Sequence, residues 1–344
     1  MAVAMQTTAI LGTGSYLPKE EVPNEEVAAP AGVTADWIER KTQITSRRRA
    51  APDEATSDLA VRAAREALDQ AGIDVGRIGY LIVATSTGDS PQPPTSCLVQ
   101  DALSAHGAAC FDINVVCSGF VYALAVAHSL IALRPGSYAL VVGADVYSRI
   151  LDATDRRTAV LFGDGAGAVV VGPAPGPSGI IGFDLCSDGG ASRLIRVDAG
   201  GSRLPASYET LAAGGHYFRM DGRGVTDFVM KTVPPVLDGL LDGAGYRPHD
   251  VDVFVPHQAN GVLLTELIGR AGLDGARTPR TLEKYGNVGS ASVPVALDHA
   301  NRSGLLSEGD LVLLAGFGGG MSIGACLLHW SAPPAPAARK GQTS

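Results

Sequence analysis

A pattern that occurs twice along the chain constrains the fold more than any other feature. Leu68-Asp-Gln-Ala-Gly72 precedes the apolar run 78–83, and Leu241-Asp-Gly-Ala-Gly245 precedes the apolar run 251–255 with equal spacing. Each copy reads as a helix end, a glycine stop, a short polar turn and a buried strand. Phe162-Gly-Asp-Gly and Phe317-Gly-Gly-Gly follow in the same order, each before another apolar run. These matches indicate an internal duplication, and strands alternating with helices predict α/β architecture in each half.

A segment rich in proline and glycine marks the boundary between the two halves. It reads Gly-Pro-Ala-Pro-Gly-Pro over residues 172–177. We therefore predict an N-terminal half over 1–172, a C-terminal half over 173–331 and a disordered, Pro- and Ala-rich tail over 332–344. Residues 180–220 are polar and glycine-rich, and their pattern predicts only a β-rich connector or a long loop.

Composition excludes several classes of function. The chain has 344 residues, 46% of them hydrophobic, and a net charge of −8, which argues against nucleic-acid binding and against a basic membrane-binding face. We identify no apolar stretch near the roughly 20 residues that span a bilayer and no secretory signal. The five cysteines are scattered without CxxC pairs, which is typical of reduced thiols in a cytoplasmic protein rather than of disulfides or a metal site.

Three segments of the first half have patterns that predict regular structure. The apolar spacing over 57–71 predicts an amphipathic helix. Residues 7–15 predict a strand that ends in a glycine turn at Gly12 and Gly14. A lone GxG is only a weak signal for a dinucleotide site, because no third glycine follows. Residues 158–171 predict two strands joined by a glycine-rich turn.

Cys117 lies at a predicted junction between a strand and a helix. Residues 112–116 form a short apolar, β-prone run, and an apolar helical run extends from Gly119 to about Leu133. A thiol near a helix N-terminus meets unpaired N–H groups and the positive end of the dipole, which favours the nucleophilic thiolate. Since a lone cysteine is more often a buried structural residue, this stretch alone leaves both roles open.

The second half supplies polar groups that complement a nucleophile. His257 follows a buried strand, at the edge where ligands bind in α/β folds, and Asn287 lies in a glycine-flanked loop. Each of these residues alone is compatible with a structural role. A thiolate, an imidazole, an amide and a glycine loop together suit acyl transfer through a thioester. The oxyanion would meet the N–H of Cys117 and an N–H near Gly318 or Gly319.

Five motifs in this order resemble β-ketoacyl-acyl-carrier-protein synthase III, of the thiolase superfamily. They are Asp-Ile-Asn-Val-Val-Cys117-Ser-Gly-Phe, Phe-Gly-Asp-Gly-Ala-Gly-Ala, Pro-His257-Gln-Ala-Asn, Tyr-Gly-Asn287 and Gly-Phe-Gly-Gly-Gly. The resemblance covers roughly residues 5–330 and implies a five-layered αβαβα duplication and a homodimer. It implies that an acyl group passes from acyl-CoA to cysteine and condenses with malonyl-acyl carrier protein, with loss of CO₂. It implies no metal and no other cofactor.

The resemblance also implies roles for individual residues. Cys117 would be the nucleophile, and His257 and Asn287 would stabilise the enolate that forms as CO₂ leaves. The remaining residues would contact the substrate. Those expected to bind CoA are Trp37, Lys41, Thr42, Arg156 and Asn260, and those expected to line the acyl pocket are Gln92 and Tyr147.

Several positions depart from the family pattern. Lys41 stands where an arginine is usual, and it lacks the bidentate fork of arginine. Gln92 replaces the aromatic residue usually offered to the partner's acyl pocket. Val262 stands where an arginine commonly meets the acidic carrier protein, and Asp227 stands where a lysine is frequent. The surface expected to bind an anionic carrier is therefore less basic, which weakens electrostatic steering.

These departures keep a second hypothesis open, in which the acyl-cysteine passes its group to a hydroxyl or amine of a small molecule. His257 would then act as the general base on the acceptor. A third hypothesis is an acyl-CoA-binding relative without catalysis. A 3-hydroxy-3-methylglutaryl-CoA synthase-type enzyme fits less well, because the spacing of the His257 and Asn287 motifs follows the synthase III pattern.

Overall fold

The computed structural model describes residues 7–174 and 178–331. The predicted tail over 332–344 and part of the predicted boundary segment lie outside these residues. The helices are α1 Asn24–Ala28, α2 Ala35–Thr42, α3 Thr56–Ala71, α4 Thr95–Leu103, α5 Gly119–Leu133, α6 Tyr208–Ala212, α7 Gly222–Ala244, α8 Gly261–Arg270, α9 Leu282–Tyr285 and α10 Ser292–Arg302. The strands are β1 Thr8–Tyr16, β2 Glu20–Pro23, β3 Ser46–Arg49, β4 Ile78–Ala84, β5 Ala109–Ile113, β6 Tyr138–Val146, β7 Asp164–Pro173, β8 Gly179–Ser187, β9 Ile195–Val197, β10 Phe218–Met220, β11 Val253–Pro256, β12 Leu311–Gly318 and β13 Ser322–His329.

Two sheets share one strand order and one set of strand directions. The first sheet runs β1-β7-β6-β4-β5, and the second, read from its far edge, runs β8-β13-β12-β11. In the first sheet, β1, β7 and β6 are antiparallel neighbours and β4 joins parallel to β6. In the second, β8, β13 and β12 are antiparallel neighbours and β11 joins parallel to β12. This match confirms the duplication predicted from the repeated sequence pattern.

Helices separate and cover the two sheets. Helix α5 contacts β4 and β6 of the first sheet and β12 and β13 of the second, and α10 likewise contacts strands of both. Helix α3 covers the outer face of the first sheet, and α7 covers that of the second. The result is five layers, αβαβα, as the resemblance implied. The central core lies between the sheets and includes Phe120, Leu124, Val141, Val255 and Leu314.

The central helix is apolar on every side. Residues Val116–Leu133 are long and apolar enough, by length and composition, to cross a bilayer. The expectation that no apolar stretch approaches that length is therefore wrong. In this fold the stretch packs against strands of both sheets and half of it is buried, and this burial between the sheets accounts for its apolar composition.

The glycines of β1 serve close packing rather than a turn. Gly12 and Gly14 lie inside the strand, which corrects the predicted turn. A Cβ on Gly12 would lie 2.6 Å from the carbonyl oxygen of Ala67, and one on Gly14 would lie 2.4 Å from that of Ala63. Glycine at these positions therefore lets α3 approach the strand closely.

Two further segments differ from their predicted structure. Residues 158–171 contain one regular strand, because β7 begins only at Asp164 and the preceding residues form irregular turns. The apolar Val160 and Phe162 of these turns pack in a separate core cluster instead. Within 180–220, β8 is a full member of the second sheet, and the rest holds the short β9–β10 ribbon and α6.

Candidate active site

Cys117 lies in a sharp turn between strand and helix. Strand β5 ends at Ile113, three residues before the predicted end at Val116, and a 3-10 turn, Val116–Ser118, leads into α5. Val116 has a φ of 46°, a conformation that is rare for a β-branched residue. The predicted strand–cysteine–helix order is confirmed, and the tight turn sets the direction of the Cys117 side chain.

Burial decides the protonation state of Cys117 in the free protein. The residue is buried, and this burial raises the pKa of its thiol far above the ordinary value. The carboxylate of Asp145 raises that pKa further, whereas a backbone N–H opposes the shift. The prediction that the helix N-terminus favours the thiolate is therefore wrong for the free protein, since desolvation of a charge outweighs the dipole. The thiol must lose its proton as the reaction begins.

His257 is a neutral imidazole at the end of β11. Its backbone N–H donates to the carbonyl of Ala315 at 2.7 Å, which fixes the residue beside β12. Its ring meets Phe317 edge-on, with 5.4 Å between centroids. Burial lowers the pKa of His257 to about 3, and its Nδ1 has no hydrogen-bond partner among the described residues. A neutral imidazole can either accept a proton or donate one hydrogen bond.

Backbone contacts hold Asn287 rigidly. Its N–H donates to the carbonyl of Leu161 at 2.8 Å, and its carbonyl accepts from Gly163 at 3.0 Å. Its side-chain Oδ1 accepts from the N–H of Gly289 at 2.9 Å. Because the oxygen is occupied within the loop, the Nδ2 amide group remains available as a donor. Asn287 lines a cleft that opens to the surface.

The glycine segment that begins at the end of β12 lies close to Cys117. A Cβ on Gly318 would lie 2.7 Å from Cβ of Cys117 and 3.0 Å from its Sγ. A Cβ on Gly319 would lie 3.0 Å from Cγ2 of Val116. Only glycine permits this approach. The structure thus brings Cys117 together with the two glycines predicted for the oxyanion hole.

The site forms where the two halves meet. The 3-10 turn that carries Cys117 contacts β12 and the turn Gly289–Ala291, which immediately follows the Asn287 loop. His257 contacts Phe317 of β12, one residue before Gly318. The segments that carry Cys117, His257, Asn287 and Gly318 are therefore neighbours in the fold, and their common role in one site stays a prediction.

A cleft of about 440 Å³ contains Asn287 and all five residues predicted to bind CoA. Two of those residues also have structural roles. Asn260 caps α8 by accepting from Val262 and Leu263, and it donates to the carbonyl of Lys41 at 3.1 Å. The hydroxyl of Thr42 donates to the carbonyl of Ile38 at 2.7 Å. The predicted CoA residues that line the cleft are Trp37, Lys41, Thr42, Arg156 and Asn260.

Two comparisons with known proteins match this site to one family. A family model for the 3-oxoacyl-[acyl-carrier-protein] synthase III C terminal matches residues 241–330, and the 3-oxoacyl-[acyl-carrier-protein] synthase III model matches residues 111–189. The chain is 53% identical over 323 residues to the acetoacetyl CoA synthase NphT7 of Streptomyces sp. (strain CL190), covering 93% of this chain and 98% of that protein. It is 41% identical over 329 residues to the β-ketoacyl-acyl-carrier-protein synthase III of Natranaerobius thermophilus, covering 95% and 100%.

The chain belongs to the β-ketoacyl-acyl-carrier-protein synthase III family.

Solved structures confirm the fold of this synthase III family member. The 3-oxoacyl-[acyl-carrier-protein] synthase III of Aquifex aeolicus VF5 superimposes with a TM-score of 0.87 at 36% identity, covering 94% of this chain and 100% of that one. The priming β-ketosynthase of the R1128 polyketide biosynthetic pathway superimposes with a TM-score of 0.89 at 35% identity, covering 97% and 99%. The protein is a thiolase-fold condensing enzyme of the acyltransferase class.

The two residues predicted for the acyl pocket differ in position. Tyr147 is buried, its OH lies 2.8 Å from Oγ of Ser86, and its ring stacks on Phe162 with 4.6 Å between centroids. Burial raises the pKa of Tyr147 well above its ordinary value, and the carboxylate of Asp145 adds to the rise. Gln92 is exposed on a loop and is not among the residues that line the cleft. Its role in a partner's pocket stays a prediction.

The synthase III cleft includes residues that the motifs did not indicate. Arg157, Met220 and Leu263 come from three separate segments and line the cleft beside the predicted set. Only Arg157 had a signal in the sequence, as the second arginine of Asp-Arg-Arg-Thr. Within 7–174 and 178–331, no group of three or more His, Cys, Asp or Glu side chains is arranged to hold a metal ion.

Proposed function

We propose that the protein loads an acyl group from acyl-CoA onto Cys117 and condenses it with a malonyl thioester as CO₂ leaves. The observation that carries this proposal is that the segments bearing the buried thiol of Cys117, the imidazole of His257 and the amide of Asn287 are neighbours. Asn287 also lines a cleft that has cationic residues at its wall. Family membership supports it, because the relatives are condensing enzymes by name.

In the first step, the thiol of Cys117 attacks the carbonyl carbon of the acyl-CoA thioester. The neutral His257 accepts the thiol proton, for which its unprotonated state is required. The N–H groups of Cys117 and Gly318 stabilise the oxyanion. The C–S bond to CoA then breaks, and the CoA thiolate takes the proton from His257. The products are an S-acyl cysteine, free CoA and an imidazole that is neutral again.

In the second step, the malonyl thioester enters the emptied cleft. Its C–CO₂⁻ bond breaks, CO₂ leaves, and the electron pair forms an enolate. The imidazole of His257 and the Nδ2 group of Asn287 donate hydrogen bonds to the enolate oxygen. The enolate carbon attacks the acyl carbonyl on Cys117, and the bond to sulfur breaks. The thiolate of Cys117 takes up one proton, which restores the resting site.

We propose further that CoA, rather than a carrier protein, bears the malonyl group. The relative at 53% identity is named for a product on CoA. Asp227 is exposed on α7 near the cleft, where its carboxylate would repel an acidic carrier protein. Arg270 on α8 is paired with Glu266 at 2.8 Å, so its charge is partly neutralised. Lys41 and Arg156 remain at the cleft for the phosphates of CoA.

Malonyl-acyl carrier protein is the second candidate for the extender. It is favoured by the family models and by the relatives at about 41% identity, whose names specify the acyl carrier protein. Both candidates use the same acyl-cysteine and the same decarboxylation. They differ only in the surface that the carrier meets outside the cleft.

The test is a paired assay of the extender. The enzyme is incubated with acetyl-CoA and equal concentrations of malonyl-CoA or malonyl-acyl carrier protein, and the released CO₂ and the β-ketoacyl thioester are quantified. We expect acetoacetyl-CoA as the main product, absent with Cys117→Ala. If the enzyme preferred malonyl-acyl carrier protein, the assignment of CoA as the carrier of the malonyl group would be wrong, but the condensation itself would stand.

The same assay separates condensation from transfer to a hydroxyl or amine. If the reaction is condensation, His257→Ala and Asn287→Ala should each form much less β-ketoacyl product, because both residues stabilise the enolate. If Asn287→Ala kept full turnover with an alcohol or amine acceptor while His257→Ala abolished it, the acyltransferase hypothesis would replace condensation.

A further inference from the structure

A buried carboxylate beside the active site has no assigned role. Asp145 is fully buried near the end of β6, two residues before Tyr147. No ion pair of Asp145 occurs among residues 7–174 and 178–331. Burial of an unpaired carboxylate is unfavourable unless hydrogen bonds compensate for the lost water. Its hydrogen bonds therefore indicate what the residue holds in place.

One oxygen of Asp145 binds residues 85–87, which directly follow β4. Oδ1 accepts from the backbone N–H of Ser86 at 2.9 Å, from Oγ of Ser86 at 3.1 Å and from Oγ1 of Thr87 at 2.9 Å. It also accepts from Oγ1 of Thr85 at 3.2 Å. Since the Ser86 hydroxyl donates to Asp145, it can accept from the OH of Tyr147, which lies 2.8 Å away. This arm orients Tyr147.

The other oxygen of Asp145 binds the second half of the chain. Oδ2 accepts from the backbone N–H of Ser290 at 2.7 Å and lies 2.7 Å from its Oγ. The neighbouring Gly289 has a φ of +59°, and a Cβ there would lie 2.4 Å from Oδ2. The N–H of Gly289 in turn donates to Oδ1 of Asn287. This arm sets the position of the Asn287 amide.

We propose that Asp145 is a positioning residue that joins the Asn287 amide and the Tyr147 wall of the acyl pocket in one hydrogen-bonded unit across the two halves. The inference rests on the proposed function for the role of Asn287 and on the sequence analysis for the expected role of Tyr147 in the acyl pocket. It goes further by making one carboxylate responsible for two separate steps, selection of the acyl group and decarboxylation of the malonyl group.

The two arms can be weakened separately. Ser290→Ala keeps the backbone N–H that donates to Oδ2 but removes the hydroxyl, which lies 2.7 Å from Oδ2 and 2.8 Å from the carbonyl of Ala84. Ser86→Ala removes the hydroxyl that links Asp145 to Tyr147. Asp145→Asn is nearly isosteric, but it turns the acceptor of one arm into a donor and removes the negative charge that strengthens the hydrogen bonds of both arms, so it disturbs both. Asp298→Asn is the control outside the site, because Asp298 is also a buried carboxylate that accepts from Thr13 and Ser15, although unlike Asp145 it pairs with an arginine, Arg302.

Two rates are measured for each variant: acylation of Cys117 across acyl-CoAs of increasing chain length, and CO₂ release from the malonyl thioester. We expect Ser290→Ala to slow CO₂ release while it preserves acylation. We expect Ser86→Ala to change the chain-length preference while it preserves CO₂ release. Asp145→Asn should do both, with CO₂ release slowed on the order of 10²-fold, the loss typical of a misplaced catalytic group. Asp298→Asn should change neither rate.

The inference is overturned if Asp145→Asn changes only thermal stability, or if each single-arm variant slows both steps equally. If Asp145→Asn fails to fold, the two serine variants decide alone. If the wild-type enzyme neither acylates nor releases CO₂, the proposed function fails. Hydrogen exchange of residues 85–94 and 285–291 then tests the positioning itself. Faster exchange of both segments in Asp145→Asn but not in Asp298→Asn supports the role, and unchanged exchange contradicts it.

Discussion

Cys117 and His257 start the proposed reaction without charge. Burial raises the pKa of the thiol and lowers that of the imidazole to about 3, so the resting pair is a thiol and a neutral imidazole rather than an ion pair. In the proposed mechanism the imidazole accepts the thiol proton in the first step against both pKa shifts, so this transfer occurs together with attack on the thioester, and the imidazole, neutral again, donates a hydrogen bond through its N–H in the second step. Water access to the site would oppose both pKa shifts.

The depressed pKa of His257 predicts how stability depends on pH. Below its ordinary pKa of 6.5, the unfolded chain binds a proton that the buried imidazole takes up only near pH 3. Stability is therefore full above pH 6.5 and falls as the pH is lowered toward 3. The loss from this residue is about 2 kcal/mol at pH 5. Urea denaturation at pH 8 and pH 5 should show a smaller drop in His257→Gln than in wild type, and an equal drop would contradict the assignment.

Gly318 is predicted to be essential because of its distance from Cys117. An alanine there would place its Cβ 3.0 Å from the Sγ of Cys117, which displaces either the nucleophile or the oxyanion donor. We expect Gly318→Ala to slow acylation roughly 10²- to 10³-fold, measured as the rate of CoA release in a single turnover. Gly107→Ala, with no atom within 4 Å of its Cβ, is the control. An unchanged rate in Gly318→Ala would remove the glycine loop from the mechanism.

At the scale of elements, the close contact of β1 with α3 depends on glycine. A Cβ on Gly14 would lie 2.4 Å from a helix carbonyl oxygen, and backbone cannot move aside as a flexible side chain can. We expect Gly14→Ala to destabilise the protein by about 1–3 kcal/mol in urea denaturation. Gly275→Ala, where the added Cβ meets nothing within 4 Å, should change stability little. Equal effects would mean that the contact is not tight in solution.

The elements that sequence predicted well are those whose pattern is local. Helix α3 and strand β4 follow from their own apolar spacing, and Gly72 ends α3 with a φ of 62° as its position suggested. Residues 158–163 were predicted wrongly, because Val160 and Phe162 are apolar for packing against Tyr147 and Phe218 rather than within a sheet. Those partners are distant in sequence, so no local pattern reveals them.

In the candidate site, too, local sequence motifs predicted some features and contacts between distant residues determine the others. Motifs located Cys117, His257 and Asn287, but the charge of Cys117 depends on its enclosure and on the distant Asp145. The cleft residue Met220 comes from a segment whose pattern predicted only a connector. Sequence motifs identify which side chains are candidates for the site. The protonation state of those side chains and the shape of the cleft depend on contacts between the two halves.

At the scale of the whole molecule, neither half carries a complete site. In the proposed mechanism the first half supplies the nucleophile, Cys117, and the second supplies His257, Asn287 and the glycine segment. The surface around the cleft then decides which carrier reaches the site. Here α7 presents Asp227, and a carrier protein with an acidic surface gains no electrostatic steering from it.

Charge reversal at Asp227 tests that surface. We expect Asp227→Lys to raise kcat/KM for malonyl-acyl carrier protein about two- to fivefold at low salt, since one exposed ion pair contributes up to about 1 kcal/mol. The gain should shrink at high salt, and kcat/KM for malonyl-CoA should change little. Asp238→Lys, exposed further along α7, is the matched control. A gain that is equal for both carriers, or equal in both variants, would contradict the assigned surface.

The central claim is that Cys117 carries the acyl group between the two substrates. Intact-protein mass spectrometry tests it directly, with acetyl-CoA added first and malonyl-CoA second. We predict that the wild-type enzyme gains one acetyl mass and loses it after the second addition, and that Cys117→Ala gains none. Absence of the adduct in wild type, or an equal adduct in Cys117→Ala, would contradict the account.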